Sequence, residues 1–241
     1  MAPKQYIPPI SKKPAKCRFF VCTGLFILSF FHAYAIINKS PAFSAGDPAA
    51  RRCRLRPDRR ICMEQKITRE LKRLGALYTA PVKVADISFS PDLRTLCEMN
   101  SCGAFGTNWG CPPGCGTVDE LSCKVREYPS GVVYQYVGAL EDSFDYEGMM
   151  EAGRVFGGIT DGIRSFVQAN VPASFVLGAG GCTLCGTCTY PDAPCRFPER
   201  KNISVEACGI NVSVLCAKCG LGYIHGPNTV TNTGVVLFRQ A

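Results

Sequence analysis

Sixteen cysteines in 241 residues are the part of this sequence that can do chemistry, and one run of them has the spacing of metal ligands. Cys182, Cys185, Cys188 and Cys195 lie in the stretch CTLCGTCTYPDAPC. Two residues between successive thiolates let three sulfurs converge on one metal group, and Cys195 can complete the set. The run predicts an iron–sulfur cluster of the [4Fe–4S] type. A four-cysteine zinc site and disulfides share such C-x-x-C pairs and stay open as alternatives.

A second set of cysteines precedes it in the chain. Cys97, Cys102, Cys111 and Cys115 lie in CEMNSCGAFGTNWGCPPGC, where the glycines and two prolines forbid a regular helix. The only tryptophan of the chain is in this stretch, and we expect it to shield a cluster from water. The stretch predicts a second metal site, with Cys123 as the alternative fourth ligand in place of Cys115.

The remaining chemistry-bearing residues indicate less. Cys208, Cys216 and Cys219 fall on a predicted helix, where small buried thiols serve as packing groups. His32 and His225 are the only histidines, too few for a histidine-based zinc enzyme or a Ser/His/Asp triad. No phosphate-binding G-x-x-x-x-G-K-[ST] loop is present. We therefore predict no catalytic residue, and favour a non-enzymatic metal-binding or electron-transfer protein.

Alternating helix and strand patterns must position these cysteines. Apolar spacing, capping residues and β-branched runs predict helices at 64–77 (ending near Gly75), 117–128, 147–170 and 204–219, and strands at 82–89, 132–137, 173–177 and 233–238. The second cysteine run directly follows a strand. This order predicts an α/β fold: a compact layered mixed sheet with helices and two Cys-rich metal-binding loops beyond the strand ends.

Charge divides the chain into two parts. Residues 1–62 hold 12 Lys/Arg and 2 Asp/Glu, whereas residues 63–241 hold 15 and 17. We predict a basic N-terminal extension, 1–62, and a Cys-rich metal-binding domain, 63–241. The uncharged segment 19–37 has three interpretations: a retained membrane anchor, a cleaved secretory signal, or part of a mis-assigned start preceding Met63. Because the excess of basic over acidic residues belongs to the extension, a nucleic-acid partner is not expected.

The sequence resembles a known family at several motifs. CGAFGTNWGCPPGCGTVDE, LEDSFDYEGMM, LGAGGCTLCGTCTYPDAPCRFPE, SVEACGINVS and GPNTVTNTGVVL are similar to the predicted metal-binding family labelled domain of unknown function 2284. The resemblance covers about Met63 to Phe238. It implies a small cytoplasmic protein whose cysteine motifs bind an iron–sulfur centre, and it supports seven of the eight proposed ligands. In that family position 115 is less uniformly cysteine, and an aromatic is usual at position 208.

These observations lead to one expected function and two alternatives. We expect two [4Fe–4S] clusters that serve electron transfer or reductive activation, with a redox partner protein or a partner metalloenzyme. The expected compartment is the cytoplasm, with membrane contact only if segment 19–37 is retained. One alternative is a zinc-stapled structural or protein-binding module without redox activity. The other is an exported or anchored protein whose cysteines form disulfides.

Overall fold

A computed structural model describes residues 62–171 and 173–239, which belong to one compact unit. The predictions for the N-terminal extension lie outside the described residues, except for its last residue, Cys62. Within the described ranges the elements are α1 (Met63–Leu74), β1 (Tyr78–Lys83), α2 (Leu93–Glu98), α3 (Val118–Arg126), β2 (Ser130–Ala139), α4 (Tyr146–Asn170), β3 (Ser174–Leu177), α5 (Val212–Lys218) and β4 (Thr229–Phe238). None of the helices in this part of the chain is both long and apolar enough to cross a membrane.

The four strands form one sheet in the order β1-β2-β4-β3, and all three strand pairs are antiparallel. β2 and β4 pair along ten residues, from Ser130 opposite Phe238 to Ala139 opposite Thr229. An isolated parallel bridge joins Gly178, just after β3, to Ser204. The predicted α/β combination of helices and sheet is therefore confirmed, with four antiparallel strands where a mixed sheet was predicted.

Both faces of the sheet are buried. Successive side chains of a strand point to opposite sides, so one strand contributes to the apolar cluster on each face. Val132 and Tyr134 of β2 pack in one apolar cluster with α1 and α4. Val133, between them, packs in the other cluster with α3 and α5. The cluster on the α3 and α5 face also contains Cys115, so the first cysteine-rich loop reaches the core of the protein.

Helix ends predicted from the sequence agree with the structure. α1 ends at Gly75, whose φ of 108° is left-handed and therefore favours glycine. Thr117 and Glu120 form the predicted reciprocal capping box at the start of α3. α4 begins where the carboxylate of Asp145 accepts a hydrogen bond from the backbone N–H of Gly148 at 2.8 Å.

Two predicted elements were wrong in extent. The strand predicted at 82–89 is β1, which ends at Lys83. Its apolar alternation continues because Val84 and Ile87 also enter the core, from a 3-10 turn and an extended residue. The helix predicted at 204–219 is broken into a 3-10 turn, Glu206–Cys208, and α5. Gly209 separates them with a φ of 75°.

Candidate metal centre

The first cysteine set, Cys97, Cys102, Cys111 and Cys115, is brought together between α2 and α3. Cys97 lies on α2, a short helix that the sequence had suggested would be loop, and Cys102 lies in the following turn. Burial is the largest cause that raises the pKa of the Cys111 thiol, and negative charge on Cys115, Cys102 and Cys97 raises it further. The side chain of Asn108 lowers it. The four side chains are thus neighbours whose charges affect one another.

A fixed cation lies beside this set. Burial raises the pKa of the Cys97 and Cys115 thiols, and the positive charge of Arg94 opposes that rise for both. The Arg94 guanidinium donates hydrogen bonds to the carbonyl oxygens of Gly116 (3.1 Å) and Ala207 (3.2 Å). Because these contacts hold it in place, Arg94 can offset the negative charge that thiolate ligands bring to a metal group.

The second cysteine set, Cys182, Cys185, Cys188 and Cys195, lines one cavity of about 20 Å³. Leu184, Thr189, Arg196, Phe197 and Trp109 complete its wall. All four thiols are half-buried and free. The four thiols of the first set are also free, but their burial differs: Cys111 and Cys115 are buried, Cys97 is half-buried and Cys102 is exposed. The predicted C-x-x-C-x-x-C run and the more distant Cys195 therefore share one small space.

Backbone N–H groups point at the sulfurs of this second set. Burial opposes ionisation of Cys188, but backbone N–H groups of Tyr190, Trp109 and Thr189, together with the positive charge of Arg196, lower the pKa of this thiol. The backbone N–H of Asn202 donates to Cys182 Sγ at 3.4 Å. Such hydrogen bonds stabilise a thiolate and tune a thiolate-bound metal group.

Trp109 lines the cavity of the second set, although in the sequence it stands within the first set. Its indole N–H donates to the carbonyl oxygen of Ala193 at 3.0 Å. Its ring contacts the edge of Tyr190, with ring centroids 4.9 Å apart. The contact with Ala193 joins residues 84 apart in the chain, so the local sequence did not indicate that Trp109 would lie at the second set.

The two loops pack directly against each other. A Cβ placed on Gly110 would lie 2.7 Å from Cys182 Cβ, closer than side-chain contacts allow. A Cβ placed on Gly181 would lie 3.5 Å from Cys111 Sγ. Glycine at position 110 thus permits a backbone approach that places the two sets side by side.

Sequence reasoning missed a polar link between α4 and the second set. Asn202 Nδ2 donates to the carbonyl oxygens of Ala179 (3.1 Å), Gly180 (3.4 Å) and Gly181 (3.3 Å). Its Oδ1 accepts from Arg164 Nη2 at 3.3 Å. Arg164 is buried, only 4% exposed, and also bonds Asp161. No pattern distinguishes these residues in the sequence, since each of the Asn202 side-chain contacts spans more than twenty residues.

The cysteines predicted to pack do so. Cys208 and Cys216 are fully buried in the core cluster on the α3 and α5 face, and Cys219 packs against it. Gln135 Nε2 donates to Cys216 Sγ at 3.3 Å. Cys123 lies half-buried on α3. That Cys115, and not Cys123, is the fourth ligand of the first set stays a prediction.

The residues of both sets fit a thiolate-bound metal group. Their thiols are free to act as ligands, N–H groups are directed at sulfur, and glycines let the two loops approach each other. No three His, Cys, Asp or Glu side chains of residues 62–171 and 173–239 are arranged as a ready single-ion site. The fold and these loops define a Cys-rich α/β protein with two adjoining thiol sets.

Residues 80–238 match the model of the family described as predicted metal-binding protein (DUF2284). The chain therefore belongs to this predicted metal-binding family, as its motifs suggested. Comparison with curated proteins and comparison with solved structures found no match.

Proposed function

We propose that the two cysteine sets each hold an iron–sulfur cluster of the [4Fe–4S] type, and that the protein transfers electrons to a partner enzyme or reductively activates it. The observation that carries the proposal is the second set: four free thiols on one cavity, with backbone N–H groups directed at two of the sulfurs. Sulfur hydrogen bonds and limited solvent access tune cluster potentials. When bound, the clusters would supply one-electron chemistry.

Each neighbouring residue has a defined part in this proposal. Arg94 offsets negative charge at the first set. Trp109 limits water at the second set, and Asn202 holds the turn that leads into Cys182. Eight free thiols fit a reducing compartment, so we place the protein in the cytoplasm with a redox protein or metalloenzyme as partner.

A zinc-stapled binding module is the second candidate. The same thiols are suitable zinc ligands, and four-cysteine structural zinc sites are closed and redox-silent. In that case the two sets only stabilise the loops.

Metal analysis separates the two candidates. The full chain is purified without oxygen, and iron, sulfide and zinc are counted alongside the visible spectrum. Two cubane clusters predict about eight irons per chain, with visible absorption that dithionite bleaches. Stoichiometric zinc without colour would overturn the electron-transfer proposal.

A pair of cysteine variants tests which thiols are ligands. Cys185→Ser should lose roughly half of the iron, because one of two cubanes loses a thiolate. Cys219→Ser is the matched control and should lose almost none, since Cys219 packs at the end of α5. Equal losses would contradict the assignment; circular dichroism shows whether each variant remains folded.

A further inference from the structure

A cleft of about 350 Å³ lies at the β3 edge of the sheet and has no part in the functions proposed above. Its walls are β3, the C-terminal third of α4, the end of α3 and the segment 198–203. We refer to it as the β3-edge cleft. Its volume lies at the lower end of the range of small-molecule sites.

The lining of the cleft combines apolar side chains with two lysines. Val167, Val171, Val176 and Ile203 are buried behind it, so the half-buried Phe175 ring supplies most of its apolar surface. Lys124 and Lys201 lie at the rim, and the Lys124 ammonium is 4.3 Å from the centre of the Phe175 ring. A ligand that fits this lining has an apolar body and a negatively charged end.

The charge balance favours a monoanion. Arg164 also lines the cleft, but its charge is matched by the Asp161 carboxylate at 2.5 Å. Within the described part of the chain, neither lysine of the rim forms an ion pair. Glu199 is the only carboxylate of the lining, so the two lysines leave a net charge of about one positive unit for a ligand.

The strand edge adds a backbone donor. The N–H of Arg239 bonds the carbonyl of Ala173 at 3.1 Å, so in the antiparallel alternation Ala173 and Phe175 direct their backbone groups toward β4. Ser174 and Val176 therefore direct theirs to the opposite edge, into the cleft. The Tyr128 hydroxyl already donates to the Ser174 carbonyl there, at 3.4 Å. The Val176 N–H faces the cleft as a donor for an anion.

Consecutive residues connect the cleft to both cysteine sets. Lys201 lines the cleft, and its positive charge lowers the pKa of the Cys115 thiol against the dominant effect of burial. The next residue, Asn202, bonds Arg164 of the cleft wall through its side chain and Cys182 through its backbone N–H. A ligand in the cleft would thus be separated from the second set by one short segment of chain, and Lys201 would carry positive charge between the ligand and the first set.

We propose that the β3-edge cleft binds a small organic monocarboxylate, with its apolar body against Phe175 and Val176 and its carboxylate at Lys124 and Lys201. The role of the cleft as a substrate site for the neighbouring metal centres rests on the proposed function. The binding itself needs only residues of the cleft.

Calorimetric titration of the full-length protein tests the binding. The probes are acetate, benzoate and 3-phenylpropionate, with neutral benzamide and inorganic phosphate for comparison. We expect saturable one-to-one binding of the two aromatic acids. They should bind at least tenfold more tightly than acetate because their aromatic ring is buried in the cleft, and at least tenfold more tightly than benzamide or phosphate.

Single variants locate the site. Lys201→Gln and Lys124→Gln should each weaken benzoate binding at least fivefold. Lys83→Gln is the matched control and should leave it unchanged, because Lys83 is exposed on β1, at the opposite edge of the sheet. Absence of saturable binding by both aromatic acids, equal affinity for benzoate and benzamide, or no effect of Lys201→Gln would overturn the proposal.

The outcome is distinguishable from that of the proposed function. Benzoate binding by a chain that contains zinc without iron would keep the cleft and reject electron transfer. A chain with iron and sulfide that binds neither aromatic acid would reject the cleft and keep the clusters.

Discussion

Replacement of Asn202 by alanine should destabilise the metal-free protein far more than its partly exposed position suggests. The two N–H groups of Asn202 Nδ2 are shared among three carbonyls of the turn before Cys182, and its Oδ1 accepts from the buried Arg164. Two neutral hydrogen bonds and one charge-assisted bond amount to about 3 kcal/mol. For a unit of this size, such a loss lowers the melting temperature by about 6–12 °C.

Thermal unfolding of the metal-free full chain, followed by far-UV circular dichroism, measures this effect. Asn170→Ala is the matched control, because Asn170 is exposed and makes only a local bond to the Phe166 carbonyl at the end of α4. The control should change stability by about 0.5 kcal/mol or less. If the two variants melt at the same temperature, the link through Asn202 does not stabilise the turn and our reasoning is refuted.

Three further predictions concern other parts of the molecule. Fluorescence of Trp109, the only tryptophan, should be quenched when the protein binds iron, and the quenching should be weaker in Cys185→Ser, which keeps iron only at the first set; equal quenching in both proteins would contradict the position of Trp109 at the second set. In the metal-free protein near neutral pH, Cys188 should be alkylated before Cys111, because N–H bonds lower the pKa of Cys188 whereas burial raises the pKa of Cys111. Mass spectrometry after a limited reaction detects the order, and the reverse order would contradict this prediction. Gly209→Ala should lower the free energy of urea unfolding by about 2 kcal/mol or more, because φ at this position is 75° and the added Cβ would lie 2.5 Å from a side chain of α3. Gly158→Ala is the control: it lies on α4 with open space around it and should stabilise the protein by about 0.5–1 kcal/mol. The opposite signs would refute the backbone explanation.

Local signals predicted most elements but not every boundary. The left-handed glycine after α1 and the Thr117 capping box act within a few residues, so both helix ends could be read from the sequence. The alternation after Val82 misled the prediction of β1, since apolar spacing reports burial and not backbone conformation. Gly209 was not recognised as a break because a glycine inside a helical pattern is compatible with either outcome.

The candidate site divides in the same way. The sequence by itself determined the grouping of the cysteines into two sets, because spacing is a local property of the chain, and from this grouping it predicted which thiols are ligands. Only the tertiary structure decided what surrounds them: Trp109 over the second set, Arg94 beside the first, and the cleft that adjoins both. The Arg94 contact with Ala207 joins residues 113 apart. Such contacts depend on how distant segments pack together, and local sequence patterns do not encode them.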